Sequence, residues 1–132
     1  MTATMNAAAA LLAGVPRVKP LNATPDKDAQ GRVVYPYGVY SALLGRGTAY
    51  TLNAAHGMRW GRVIVQTFGR TSASALDHMD DAITLMLDSR LTIVGYECSP
   101  MLVELDPAVV RDPDDSGVVG TTATLTFTAT PT

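Results

Sequence analysis

Residues 61–87, GRVIVQTFGRTSASALDHMDDAITLML, contain the change of hydrophobic period that decides the fold class. The first part of this stretch, together with residues 58–60, alternates apolar and polar side chains as a β-strand does. From about residue 72 the apolar side chains recur at helical spacing, so we predict a helix over about 72–89, with Thr71 or Ser72 as its N-cap. The apolar stripe consists of Ala75, Leu76, Met79, Ala82, Ile83, Met86 and Leu87. A helix with a single apolar stripe needs a surface to cover, which predicts a helix packed on a sheet.

The predicted strand over 58–69 is apolar on both faces. Its side chains divide between a face of Val63, Val65 and Thr67 and a face of Trp60, Arg62, Ile64, Gln66 and Phe68. A sheet that is apolar on both faces needs two covers, and the predicted helix supplies only one of them. The second cover is either another subunit or the N-terminal helix, and the sequence leaves both open.

Further segments have the composition of strands, at residues 32–44, 49–52, 91–96, 101–105 and 118–130. Pro36 places the first of them at an edge or a bulge, and Pro107 interrupts the fourth, which Val109 and Val110 then extend. The last strand alternates apolar residues with threonines, which is typical of a half-buried antiparallel strand. Residues 112–117, DPDDSG, predict the turn before it. The fold class we expect is α+β, with an antiparallel sheet packed by one main amphipathic helix.

The N-terminal region differs from the rest of the chain. Residues 5–13 predict a short helix, which Gly14 and Pro16 stop. Residues 17–31 are rich in proline and glycine, so we expect a loop or an extended arm of the kind that reaches a neighbouring subunit. We therefore predict a single domain, with residues 1–31 as short helix and arm and residues 32–132 as the α+β body.

Composition restricts the class of protein. The chain has 132 residues, of which 47% are hydrophobic and 17% charged, so it is long enough to bury a core. Its net charge of -2 argues against a general nucleic-acid binder. Cys98 is the single cysteine, which indicates a buried thiol in a reducing compartment. The alanine-rich N-terminus lacks the basic start of a signal peptide, and we expect no membrane segment.

No catalytic constellation is recognisable. His56 and His78 have no nucleophile or carboxylate at a catalytic spacing, so we expect solvated or partly packed rings. Residues 112–117 partly fit a calcium loop, but its twelfth position would be Ala123, where a glutamate is required. We predict no catalytic, cofactor or metal site, and a protein that is not an enzyme.

The charges are segregated along the chain. Between Ala29 and Leu76 there are five arginines and no acidic residue, whereas residues 77–115 contain ten acidic residues and two arginines. A subunit with a positive and a negative side can join head to tail with copies of itself and close into a ring. The candidate residues for the subunit interface or for the channel of such a ring are Arg32, Arg46, Arg59, Arg62, Arg70, Trp60, Ile64, Phe68, Asp77, Asp80, Asp81, Asp112, Asp114 and Asp115. The arginines face either the acidic segment of the next subunit or DNA phosphates in the channel.

The order of these motifs is similar to that of a known family. YPYGVYSALL at 35–44, the stretch 61–87, and RDPDDSG at 111–117 before an apolar last strand resemble the tail-terminator, or tail-completion, proteins of long-tailed, siphovirus-like phages. Members typically carry a YPYVVY strand, an RVQVDVWA strand, a helix with spaced alanines and a late DPD turn. The resemblance covers about residues 32–130, and the family's N-terminal helix is usually longer.

The resemblance implies a structural virion protein. It implies a homo-oligomeric ring, commonly a hexamer, that caps the head-proximal end of the tail tube, stops tube polymerisation and provides the head–tail joining surface. The implied partners are the tail-tube protein, the head–tail connector protein, and genomic DNA that passes through without sequence-specific binding. No cofactor and no membrane are implied, and the location is the virion, after assembly in the host cytoplasm.

Two alternatives remain. One stays within virion structure, as a head–tail connector (stopper or adaptor) or a tail-tube subunit. The other is of another class, a small α+β enzyme or ligand-binding module, which would need a pocket with convergent polar groups.

Overall fold

The computed structural model describes residues 2–47, 58–111 and 117–132. Two helices and six strands follow one another in this part of the chain. In chain order they are α1 (Thr2–Leu12), β1 (Val18–Pro20), β2 (Tyr37–Gly47), β3 (Arg59–Gly69), α2 (Ser72–Met86), β4 (Tyr96–Cys98), β5 (Leu102–Arg111) and β6 (Val119–Pro131). The fold class is α+β, as the sequence predicts.

The strands form one sheet with β3 and β6 at its centre. The order is β1-β2-β3-β6, and β4 and β5 both pair with the far side of β6, one after the other. All of these pairs are antiparallel except β1 with β2, which is parallel. The sheet is therefore mixed, which corrects the purely antiparallel expectation.

Both helices cover the same face of this sheet. The covered face presents Val63 and Val65 from β3 and Leu125 from β6, all fully buried. Ala8 and Leu12 of α1 and the stripe of α2 belong to the same apolar cluster. Thr67 adds a polar tie, because its hydroxyl donates a buried hydrogen bond of 2.8 Å to the carbonyl oxygen of Ala75 in α2.

The second face of the sheet has no cover among the described residues. Because α1 packs beside α2, the N-terminal helix is not the second cover that the pattern of β3 requires.

The main helix begins at Ser72 and ends at Met86, three residues before the predicted end. Thr71 is its N-cap, because its side-chain oxygen accepts a hydrogen bond from the amide of Ser74. Leu87 leaves the helix in an extended conformation, and Asp88 adopts a positive φ of 61°. The stripe is buried at Ala75, Met79, Ala82 and Met86, whereas Leu76 and Ile83 are half-buried and Leu87 is exposed.

Several strand boundaries differ from the sequence predictions. Residues 91–95 are not a strand: Leu91 and Ile93 alternate with exposed neighbours, but they are buried from a loop. The strand starts at Tyr96 instead. β5 continues through Pro107, but its pairing with β6 shifts in register between Leu105 and Ala108, so the proline disturbs the ladder without ending the edge strand.

The first strands also differ. Of the predicted strand 32–44, residues 37–44 belong to β2, which begins after Pro36, so the proline needs neither an edge nor a bulge. The predicted strand 49–52 and the turn residues 112–116 lie outside the described residues. Neither helix of the described part combines the length and the hydropathy needed to cross a bilayer.

The predicted arm folds back onto its own subunit. Residues 18–20 form β1, and Lys27 bridges Val33 in a small antiparallel turn stabilised by Asp28, whose carboxylate accepts from the amides of Gln30 and Arg32. Lys19 of β1 pairs with Asp26, which immediately precedes this turn. The N-terminal helix begins at Thr2, earlier than the predicted residue 5.

Candidate assembly surfaces

The uncovered face of the sheet, which we call the open face, carries large side chains in contact with solvent. Leu43, Arg62, Thr126 and Leu102 stand in one row across β2, β3, β6 and β5. Leu43 is 49% exposed, Leu102 60% and Trp60, from the same face of β3, 55%. Isolated exposed apolar residues are ordinary, but three within one sheet face form a patch of the kind that interfaces use.

Polar groups divide this patch. The Arg62 guanidinium lies 3.6 Å from the Glu104 carboxylate, and both side chains are about half exposed. Threonines of β6 run down the middle of the face, at positions 122, 124, 126 and 128. The face is thus apolar, hydroxylated and locally neutral.

An aromatic cluster lies at the opposite end of β3. The rings of Tyr35 and Phe68 both pack against the ring of Tyr37, at centroid distances of 5.4 Å and 5.0 Å. The Arg70 guanidinium stands 4.6 Å from the centre of the Tyr35 ring, a cation–π geometry. The side chain of Arg17 closes the neighbouring turn by donating to the carbonyl oxygen of Pro36.

Two of the other candidate arginines, Arg32 and Arg59, also have partners within the subunit. Arg32 lies 3.4 Å from Asp28, and Arg59 stacks 5.7 Å from the Tyr96 ring centre. Arg46 lies near the end of β2. The candidate arginines do not share one surface, because Arg59 and Arg62 are separated by an odd number of residues along β3 and lie on opposite faces of the sheet.

The candidate acidic residues of α2 are placed differently. Asp77, Asp80 and Asp81 are all exposed on the surface of α2 that points away from the sheet. Within the ranges 2–47, 58–111 and 117–132, no salt bridge includes any of them. They lie on the opposite side of the subunit from Arg62, Trp60 and the half-buried Ile64 and Phe68. Asp112, Asp114 and Asp115 lie outside the described residues, as does His56.

The titratable groups of the interior are those of a packed core. Burial lowers the pKa of His78, and the nearby Arg17 lowers it further, whereas Asp81 and a hydrogen bond with the Pro16 carbonyl raise it. His78 is buried, in contrast to the partly packed ring that the sequence suggests, and its Nε2 has no partner among the described residues. Burial raises the pKa of the Cys98 thiol and of the Tyr40 hydroxyl. In the described ranges no three His, Cys, Asp or Glu side chains are grouped to hold a metal ion.

Sequence reasoning missed the two edges of the sheet. The strand β5 runs unbroken over ten residues, and its pairing with β6 shifts at Leu105 and again at Ala108. The adjacent valines Val109 and Val110 could have indicated this exposed edge from the sequence. Neighbouring residues of a strand point to opposite faces, so the two cannot both point into the core, and both are exposed in the structure.

The comparisons with known proteins show a similar fold and no relative in sequence. No family model matches the chain, and no curated protein matches it. Among solved structures, the fold resembles a chain from the virion of a native gene transfer agent particle, with a TM-score of 0.60. The two chains are 12% identical over 93% of this chain and 84% of the other. At 12% identity, the similarity is evidence for a shared fold alone.

Proposed function

We propose that this protein is a structural component of a phage or phage-like particle, without enzymatic activity. The observation that carries the proposal is the fold, shared over 93% of the chain with a chain of a gene transfer agent virion. The order of the sequence motifs resembles that of tail-terminator proteins, and this resemblance supports a phage structural protein independently of the fold.

More specifically, we propose a tail terminator. Copies of the subunit form a ring, most simply a hexamer, which caps the head-proximal end of the tail tube and stops tube polymerisation. The ring joins the tube to the head–tail connector, and genomic DNA passes through its channel. Two features of the structure support a self-assembling subunit: the uncovered open face, and the separation of the α2 carboxylates from Arg62 on that face.

Mass in solution tests ring formation. The chain has a mass of 13.9 kDa, so a hexamer has six times that mass, whereas a protein that stays monomeric at high concentration contradicts the proposal. A tail-tube subunit, the alternative within the same class, would instead polymerise alone into long tubes that negative-stain images show.

Deleting the gene tests whether the protein acts at the head-proximal end of the tail. Without a terminator, we expect overlong or unattached tails and heads filled with DNA. Normal tails joined to heads would contradict the terminator role, and heads that lose their DNA beside tails of normal length would favour the connector alternative.

A further inference from the structure

The sheet has two edges whose backbone groups differ in how they are covered. At the β2 edge, β1 pairs with residues 38–40, and the amide of Leu21 donates to the Tyr40 carbonyl. The amide of Ala42 then donates to the Met5 sulfur of α1, at 3.0 Å. Beyond Ala42, residues 43–47 of β2 have no strand beside them among the described residues, so this end of the edge can accept another strand.

The other edge is longer. The strand β5 pairs with β6 on one side. On its other side the described residues supply a bridge between Leu87 and Met101, just before β5 begins, and no strand beside β5 itself. Leu102 is 60% exposed, Val109 41% and Val110 65%. A long edge strand with exposed apolar side chains is a template for strand pairing, and Pro107 and the shifts in register restrict that pairing to part of its length.

The two free edges run in opposite directions. Each of the pairs β2–β3, β3–β6 and β6–β5 is antiparallel, so β5 runs opposite to β2. When copies stand side by side in the same orientation, as in a ring, the β5 edge of one copy meets the β2 edge of the next in antiparallel arrangement.

The charges of the edges select this partner. The free residues 43–47 contain Arg46 and no acidic residue, whereas β5 contains Asp106 and Glu104, of which Glu104 also pairs with Arg62 of its own subunit, and one arginine, Arg111. Pairing β5 with a second β5 about a two-fold axis would bring carboxylates against carboxylates. Pairing β5 with β2 brings opposite charges together, which sets orientation and partner choice.

We therefore propose that consecutive copies of this chain join edge to edge, with β5 of one copy pairing antiparallel with residues 43–47 of the next. The sheet then continues from subunit to subunit, and the open faces of all copies lie on one side of it. The inference rests on the proposed ring and adds which surfaces form its repeated contact.

Hydrogen exchange tests the contact directly. Amides of residues 43–47 and 102–111 are compared in the assembled protein and in the same protein diluted to its 13.9 kDa monomer. We expect exchange at both segments to slow by about tenfold or more on assembly, with the central strands β3 and β6 as an internal control. A ring whose two edge segments exchange as fast as in the monomer would overturn the inference and leave the proposed function intact.

Cysteine pairs test the direction of the contact. Leu43, Leu102 and Val110 all lie on the open side of the sheet, so the double variants L43C/L102C and L43C/V110C report two registers of a β2–β5 pair. In a Cys98→Ala background we expect one of them to give an oxidised ladder from dimer to the full ring, while each single variant stays monomeric on a denaturing gel. Dimers formed by L102C or V110C alone would show two-fold β5–β5 pairing and overturn the inference. Failure of any variant, and of the parent protein, to assemble would instead contradict the ring itself.

Discussion

The ring of Phe127 occupies the space that a side chain on Gly61 would need. The two residues stand opposite each other on the helix-covered face, and a Cβ placed on Gly61 would come within 2.1 Å of Cζ of Phe127. Because the ring is 98% buried in the core, it has little room to move aside. We expect Gly61→Ala to lower the free energy of unfolding by about 1–3 kcal/mol, measured by urea denaturation.

A double-mutant cycle separates this clash from a general effect of glycine. In a Phe127→Leu background the shorter side chain leaves room for the new methyl group, so Gly61→Ala should cost at least about 0.5 kcal/mol less there than in the wild-type protein. Equal costs in the two backgrounds would show that the Phe127 ring is not the cause.

The N-cap of α2 contributes to the stability of the protein through the Thr71 side chain. The Thr71 side chain accepts from the amide of Ser74 at 3.1 Å, whereas the exposed Ser72 side chain makes no such bond to the helix start. Thr71→Ala should therefore lower the free energy of unfolding by about 1 kcal/mol. Ser72→Ala, the matched control one residue later, should change it by less than about 0.5 kcal/mol. A larger effect at Ser72 would mean that the wrong residue is assigned as the cap.

These two sites also show what the sequence could reveal. The hydrophobic periodicity of residues 61–87 predicted both the two-faced strand and the helix. The pattern repeats over more than two turns of the helix and over more than four residues of the strand, which is long enough to identify each element. The cap was narrowed to Thr71 or Ser72, but choosing between them requires the backbone angles of one residue. The contact of Gly61 with Phe127 depends on the register of β3 against β6, which local patterns do not determine.

The geometry of the candidate assembly surfaces was predicted less completely, for a similar reason. The charge segregation and the apolar outer side of β3 were visible in the sequence, and they pointed to Arg62, Trp60 and the aspartates of α2. The ion pair of Arg62 with Glu104 joins residues far apart in sequence, and β1 is a three-residue strand inside a proline-rich segment. Neither has a local signal, because both depend on which strands become neighbours.

The buried His78 predicts how stability depends on pH. Its pKa in the folded protein is lowered, first by burial and then by Arg17, so protonation favours the unfolded chain. The stabilisation is complete above the unfolded pKa of about 6.5 and is lost as the pH falls below it, with a slope of at most about 1.4 kcal/mol per pH unit. We expect the free energy of unfolding to decrease between about pH 7 and pH 5.

His78→Gln identifies the source of that slope. A glutamine amide keeps a donor for the Pro16 carbonyl but does not titrate, so the variant should lose less stability over the same pH range than the wild-type protein. His56 remains in both proteins and serves as the internal reference. Parallel stability curves for the two proteins would exclude His78 as the titrating group.

The last prediction concerns Arg62, for which the sequence suggested a contact with the next subunit. From the sequence alone, reversing Arg59 and Arg62 to glutamate weakens ring assembly in a salt-dependent way. The structure gives Arg62 a partner in its own subunit, Glu104 of β5, so Arg62→Glu should also place two carboxylates side by side and disturb the β5 edge. We expect this variant to assemble more weakly at low salt, with the free energy of unfolding lowered by no more than about 1 kcal/mol, because both groups are half exposed.

The charge-swapped variant R62E/E104R distinguishes a role of Arg62 within its own subunit from a role in contact with the next subunit. It restores the pair within the subunit but keeps a negative charge at position 62, so an intramolecular role predicts that both stability and assembly recover. Size-exclusion profiles at low and high salt report the assembly, and urea denaturation reports the stability. If stability recovers while assembly stays weak, Arg62 contacts a carboxylate of the neighbouring subunit.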